Sequence, residues 1–560
     1  MRLLKVRNWQ LMKRCVLWLF LACFLQCVQA QAVLVKDINP GSSPSTLFGL
    51  TDVNGVLFFT VDDGIHGEEL WKSDGTEVGT NLVKDIYPGS LGSSPHNLVA
   101  FNGSLYFAAN DPDHGYELWK SNGTATGTEL VKDIHPGSDH GIPILLTVVN
   151  GSLFFNATDE LNGEELWKSD GTAAGTVLVK DIYPGSLGSD PIRFAEVNGT
   201  LFFTASTSDH GRELWKSDGT AAGTVLVKDI QAGSASGDLV HLTDVNGTLF
   251  FQANDGMNGE ELWKSDGTAS GTALVKDIYA GVLGSQMIHL TEMGGMLFFQ
   301  ATDGIHGAEL WKSDGTATGT GMVKDIRSGL DSSVPGPFEV LNGSLFFSAP
   351  DFGTHGVELW KSDGTAAGTI MLKDISPGST HSQPGSFIIV NSTLFFIADD
   401  GTTGIELWKS DGTAGGTVLV QDIFLGSDHS EPDNLAVANG SLFFGANDGT
   451  HGYELWKLDV STAIDSWQLK GYSLNQNSPN PFQQSTSLTF SLGQTEKVDI
   501  HIYTLTGQII RRFEGTYPAG EQAILWDGTN EKGMPVSQGI YLLHMKAGDF
   551  NHSRRMVKIR

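Results

Sequence analysis

The chain has 560 residues, with 64 Asp and Glu against 35 Lys and Arg, 69 Gly, 13 Trp and 3 Cys. At ~100–200 residues per domain this length predicts three to five units unless a repeat builds one large one, and an apolar content of 40% excludes wholesale disorder. Residues 31–471 hold 57 acids against 21 bases, a surface that repels nucleic acid and anionic lipid and attracts cations.

In chain order, the first element is an export signal. Residues 1–30 carry five bases (Arg2, Lys5, Arg7, Lys13 and Arg14) and no acid, then an apolar run from Cys15 to Leu25, then Val28-Gln29-Ala30. This pattern predicts a secretory signal peptide cleaved after Ala30. The run is shorter than the ~20 apolar residues that span a bilayer, and no later stretch is long and apolar enough to do so. Cys15, Cys23 and Cys27 would leave with it. The mature chain would then have no disulfide, no thiolate metal ligand and no cysteine nucleophile.

Residues 31–459 are one unit used nine times. Glu-Leu-Trp recurs with Trp at 71, 119, 167, 215, 263, 311, 360, 408 and 456, at a spacing of 48 with one step of 49. A full unit reads Val179-Lys180-Asp181-Ile182, Val197-Asn198-Gly199, Leu201-Phe202-Phe203, and Glu213-Leu214-Trp215-Lys216-Ser217-Asp218-Gly219-Thr220. The signature resembles the ELWxxDGT repeat family, a resemblance that implies a large exported bacterial protein and names no activity. Asn-Gly and Asp-Gly turns separate short apolar strands, four to a unit, which is the size of a propeller blade. The fold class expected is therefore all-β, a nine-bladed β-propeller, with a β-solenoid as the alternative. The phase of the repeat favours closure. Val33 to Ile38 can supply the outer strand that the ninth unit lacks after Trp456.

The repeated residues read mainly as structure. Each Trp is expected to plug the space between adjacent sheets. The Lys after it, the Glu before it and the Lys-Asp of V-K-D-I are read as cross-strand charge ladders. The loop before each Glu-Leu-Trp has the chemistry for calcium, with clustered carboxylates on a glycine-rich backbone. Asp62, Asp63, Glu69, Asp303, Glu309, Asp448 and Glu454 are the candidate ligands, and calcium the candidate cofactor. A histidine recurs there (His66, His114, His210, His306, His355 and His451) but becomes Asn162, Asn258 or Thr403 elsewhere. A turn residue tolerates that exchange better than a metal ligand does. No catalytic motif is present, so no catalytic residue is assigned and no enzyme is expected. A site that breaks the symmetry is sought first at the irregular segments 331–338 and 380–388.

After a linker at 460–471, residues 472–560 lose the repeat. Ser478-Pro479-Asn480-Pro481-Phe482 opens this segment, followed by Val498-Asp499-Ile500-His501-Ile502-Tyr503, Gly507, Trp526-Asp527-Gly528, Gly539-Ile540-Tyr541 and a basic end at Lys558-Ile559-Arg560. Period-two runs between Gly and Asn turns predict a small Ig-like β-sandwich. These motifs, in this order, resemble the C-terminal sorting domain of the type IX secretion system. The resemblance implies a Bacteroidetes-like bacterium, contact with the secretion machinery through 472–560, and a final position that is secreted or on the outer-membrane surface. The function expected is a binding or structural, adhesion-like module with a glycan or cell-surface partner. A secreted polysaccharide-degrading propeller enzyme and a calcium-stabilised adhesin are the alternatives.

Overall fold

The computed structural model describes residues 31–560 except 42, 352–354, 461–471, 475–476, 478, 481, 505–507, 549 and 560. Residues 1–30, where the signal peptide is expected, with their three cysteines, nearly all of the expected linker at 460–471, Phe352, Ser478, Pro481, Gly507 and Arg560 lie outside the described residues. The chain divides into two compact units, one ending at Val460 and one starting at Ser461.

In the first unit every repeat forms a four-stranded antiparallel sheet. In the fourth, Ile192–Val197, Thr200–Thr207, Gly211–Ser217 and Val225–Lys228 pair in that order. The hairpin between the first two strands turns on Asn-Gly. Asn54, Asn102, Asn150, Asn198 and Asn246 have φ of 48–55°, and the following glycine is also left-handed, the geometry whose twist matches the strands it joins. The Asp-Gly-Thr turn is held by side chains: Asp170 Oδ1 accepts from Thr172 N at 2.9 Å and Thr172 Oγ1 at 2.7 Å.

Eight sheets are continuous in sequence. The ninth joins Asp433–Ala438, Ser441–Asn447 and Tyr453–Asp459 to Ala32–Lys36, with Leu34 opposite Trp456. The apolar cores lie between blades: Val197, Phe202 and Leu214 of the fourth pack with Leu249, Phe251 and Trp263 of the fifth. Ala438 and Phe443 of the ninth pack with Leu57, Phe59 and Trp71 of the first. The ring is thus closed, a propeller rather than a solenoid, and the first strands of neighbouring blades contact each other around the axis at eight of the nine steps.

The nine tryptophans are each only 5–7% exposed, so each contributes ~1.5–3 kcal/mol by burial. The lysines differ from the expected ladders. Glu69 and Lys72 are three residues apart and project to opposite faces of their strand. Lys72 Nζ instead donates to Gly123 O of the next blade at 2.7 Å. Lys180 of V-K-D-I likewise crosses to the next blade, donating to Thr224 O at 2.8 Å with Nζ 5.9 Å from the Trp215 ring centre. Both motifs tie blade to blade, and Lys120–Glu129 is the single Lys–Glu ion pair among the described repeat residues.

The second unit is a two-sheet sandwich. One sheet orders Ser473–Leu474, Thr486–Leu492 and Gly520–Trp526; the other orders Ile509–Tyr517, Glu496–Thr504, Gly539–Ala547 and Phe550–Lys558. Its terminal motifs converge. Asn480 Oδ1 accepts from Val557 N at 2.8 Å, and the Phe482 ring lies 5.3 Å from Trp526, itself 5.7 Å from Tyr541. Gly528, at φ 67°, leaves no room for a Cβ beside Gln484 O.

Candidate binding site at the channel mouth

The connections between blades and the loops between second and third strands lie on one face of the propeller, where Glu68 bridges Gly92. The Glu of Glu-Leu-Trp anchors that face from below. Glu69 accepts from Tyr87 N and Ser93 N, Glu309 from Ile326 N and Ser333 Oγ, and Glu454 from Ile38 N and Ser45 Oγ. All three are fully buried. Burial pushes the carboxyls up, those of Glu117, Glu213, Glu261, Glu358 and Glu454 to about 7.

The loop aspartates are engaged above them. Asp62 Oδ1 accepts from Gly64 N, and Asp63 Oδ1 from Ile65 N and His66 N. Asp303 and Asp448 repeat the arrangement with His306 and His451. His66 Nδ1 lies 2.7 Å from Asp63 Oδ2, and the same position is filled by Asn162 Nδ2 on Asp159 and Thr403 Oγ1 on Asp400. Three side chains that can each donate one hydrogen bond explain why His, Asn and Thr exchange there. Within a blade the structure brings Asp63 and Glu69 together around His66, whose pKa the Asp63 hydrogen bond raises. Among the described residues no group of three or more His, Cys, Asp or Glu is placed to hold a metal ion.

The inner strands carry what does not repeat. In eight of the nine blades the inner strand pairs irregularly after its first residue: Ile192 faces Thr204, but Ala195 faces Phe202; Glu339–Leu341 of the seventh blade pairs in unbroken register. The inserted residue has positive φ in eight blades: Gly49 64°, Asn97 54°, Leu145 59°, Arg193 61°, His241 59°, His289 59°, Ser386 50° and Asn434 54°. A left-handed conformation costs ~1–2 kcal/mol for residues other than Gly and, less so, Asn. Leu145, Arg193, His241 and His289 are set against that cost in four consecutive blades. Sequence reading missed this ring, because a strained bulge leaves no motif; the available signal was a position that varies inside an otherwise near-identical repeat.

An open cavity of about 680 Å³ lies along this wall, lined by Asn97, Leu98, Leu145, Leu146, Arg193 and Phe194 among others. Beyond Arg193, His241 has an exposed side chain, but desolvation by the surrounding wall and then the charges of Arg193 and His289 hold its pKa below the ordinary value. Burial lowers that of His289 too. The His289 ring meets Phe338 edge-on at 6.0 Å, and Gly336 leaves it the space a Cβ would take. The irregular segment 331–338 therefore does reach the channel. A second cavity of about 500 Å³, at the eighth, ninth and first blades, is lined by Phe48, Glu431, Asp433, Asn434 and Tyr453 among others. Gly445 leaves room for the Tyr453 ring.

Comparison with known proteins bears first on the second unit. Residues 475–549 match the FlgD Ig-like domain family. No curated protein matches the sequence. Among solved structures, PorZ, an essential bacterial surface component of the type-IX secretion system of Porphyromonas gingivalis, is similar at 14% identity and TM-score 0.33, over 92% of this chain and 75% of that one. A puromycin hydrolase is similar at 12% identity and TM-score 0.33, over 63% of this chain. Prolyl endopeptidases are similar at 10% identity and TM-score 0.35, over 81% of this chain. The chain spans 58% and 55% of the length of these last two. Likenesses this distant assign neither ligand nor activity.

Proposed function

We propose that the protein is an exported surface binding module whose propeller presents its channel mouth to a ligand and whose second unit serves as a type IX sorting domain. The observation that carries the binding role is the ring of inner-strand bulges. Nearly everything else in the blades repeats and is engaged in holding one blade to the next. At the bulges, Gly49, Asn97 and Asn434 show what the backbone prefers, while Leu145, Arg193, His241 and His289 keep side chains on the channel at a conformational cost. Sites lined by one wall of differing residues suit recognition, and no nucleophile–base constellation accompanies them among the described residues, so binding rather than turnover is the reading.

Export rests on the leader pattern of residues 1–30 and on the terminal motifs, which the sandwich gathers around Trp526. The partners implied are the secretion machinery through 472–560 and a glycan or other cell-surface component through the mouth. The test has two arms. Deleting 472–560 should leave the propeller in the periplasm of a type IX-competent host. Labelled mature protein should bind the isolated surface polysaccharide of its own host, and the Arg193→Gly/His241→Gly variant should lose that binding. Secretion without 472–560, or undiminished binding by the variant, overturns the corresponding half.

A further inference from the structure

The 17 lysines of the two motifs account for most of the 21 cations in residues 31–471; the rest are Arg193, Arg212, Arg327 and Lys470. Lys470 lies outside the described residues. Arg212 is paired with Asp190 at 2.6 Å and Arg327 with Asp331 at 3.1 Å. Arg193, among the described residues, makes no ion pair and no side-chain hydrogen bond, although 57 acids share residues 31–471 with it. Its exposed side chain lies instead on the wall of the 680 Å³ cavity. His241 and His289, on the next two blades, also make no side-chain hydrogen bond among the described residues.

We propose that this cavity binds a small organic anion, its carboxylate on the Arg193 guanidinium and its apolar body against Leu98, Leu146 and Phe194. This rests on the channel-mouth reading above and gives it a ligand class. A guanidinium offers a planar fork that fits a carboxylate bidentately. The cavity volume falls in the ~300–1,000 Å³ range of small-molecule sites, which combine apolar walls with a few placed polar groups. Here those groups are Arg193 and the Asn97 amide at the two ends of one lining. The apolar residues between them argue against a bare inorganic anion, which would leave Leu98, Leu145, Leu146 and Phe194 against water. His241 and His289 extend the donor edge beyond Arg193. Glu431 and Asp433 line the second cavity, at the eighth, ninth and first blades, and their charge disfavours an anion there and directs it to the Arg193 side.

The probe is octanoate, titrated calorimetrically into the mature full chain beside 1-octanol and octylammonium, which share its body. Octanoate should bind at least tenfold more tightly than octanol, and octylammonium should give no heat. Arg193→Gln should weaken octanoate at least tenfold while leaving octanol unchanged, and Arg193→Lys should restore part of the loss. Leu145→Asp, which sets a negative charge on the wall, should abolish octanoate binding at an unchanged thermal midpoint, separating repulsion from misfolding. Equal binding of octanoate and octanol, or wild-type affinity in Arg193→Gln, overturns the inference. If none of the three probes binds while the surface polysaccharide still requires Arg193 and His241, the small-anion assignment falls and the channel-mouth reading stands. If Arg193→Gly/His241→Gly keeps polysaccharide binding, the reading beneath it falls as well.

Discussion

The walls of the blades and the ring around the channel share one backbone repeated nine times, yet they treat sequence in opposite ways. In the walls the same residue recurs because it has the same neighbour in each blade. Glu165 accepts Tyr183 N at 2.9 Å, Ser189 N at 3.0 Å and Ser189 Oγ at 2.6 Å, and Lys180 reaches the next blade's carbonyl. In the ring the backbone conformation recurs in eight blades while the residue ranges over six types, from Gly49 through Arg193 to Asn434. Recurrence marks a contact that closes the ring; variation on a strained backbone marks a surface that faces something else. The comparison can be broken or sharpened by substitution in either region.

The largest effect should come from the closing strand. Val35 is 5% exposed at the seam of the ninth and first blades. Val35→Asp buries an unpaired charge where the ring shuts, and should cost ~4 kcal/mol or more in denaturant unfolding. A loss under ~1 kcal/mol would mean that the seam does not carry the fold. Next comes the wall anchor: Glu165→Ala leaves the buried Ser189 N–H and the half-buried Tyr183 N–H without an acceptor and should cost ~3 kcal/mol.

The anchors also set a pH dependence. Glu117, Glu213, Glu261, Glu358 and Glu454 sit at about 7 in the folded state, above the 4.5 of a free carboxyl. Between those values the folded chain holds protons that the unfolded chain has released, so the contribution of these glutamates is full below pH 4.5 and is lost as pH rises through about 7. The Asp-bound histidines act in the same direction. His66 and His306 lie above 6.5, so their contribution is present in acid and fades above their folded values. The melting midpoint should therefore be higher at pH 5.5 than at pH 8, and a midpoint that rises over this range contradicts the wall anchors. The smallest effect concerns calcium. Asp63, Asp303, Asp448 and the three glutamates already accept backbone N–H groups. Chelator should move the midpoint by no more than ~1 °C; a fall of several degrees would support calcium in these loops.

Much of the fold was legible because its signals are local and repeated. Asn-Gly fixes a hairpin, Glu-Leu-Trp fixes a strand, and the phase between Val33 and Trp456 points to the closing strand. The lysines were misread because their partners belong to the next blade: Lys72 and Gly123 are distant in sequence, while Glu69 is near enough to suggest a pair. The glutamates were legible as acids but not as anchors, since their acceptor role depends on backbone N–H groups of the inter-blade connection. The channel ring was hidden by its chemistry, because a left-handed bulge accepts Gly49, Arg193 and His289 alike and so imposes no motif. The segment 331–338 was flagged by its irregularity alone, and its Gly336 and Phe338 do meet His289.

The most direct test of the contrast between wall and ring is the unfolding free energy of Arg193→Gly/His241→Gly. Both side chains are exposed and both backbones left-handed, so relief of ~1–2 kcal/mol of strain at each site offsets the ~1 kcal/mol that glycine loses in chain entropy. The account predicts a variant as stable as the wild type, within ~1 kcal/mol or above it. A loss of ~3 kcal/mol or more would show that the ring side chains hold the propeller together, as the wall residues do, and would remove the physical ground for a binding surface at the channel mouth.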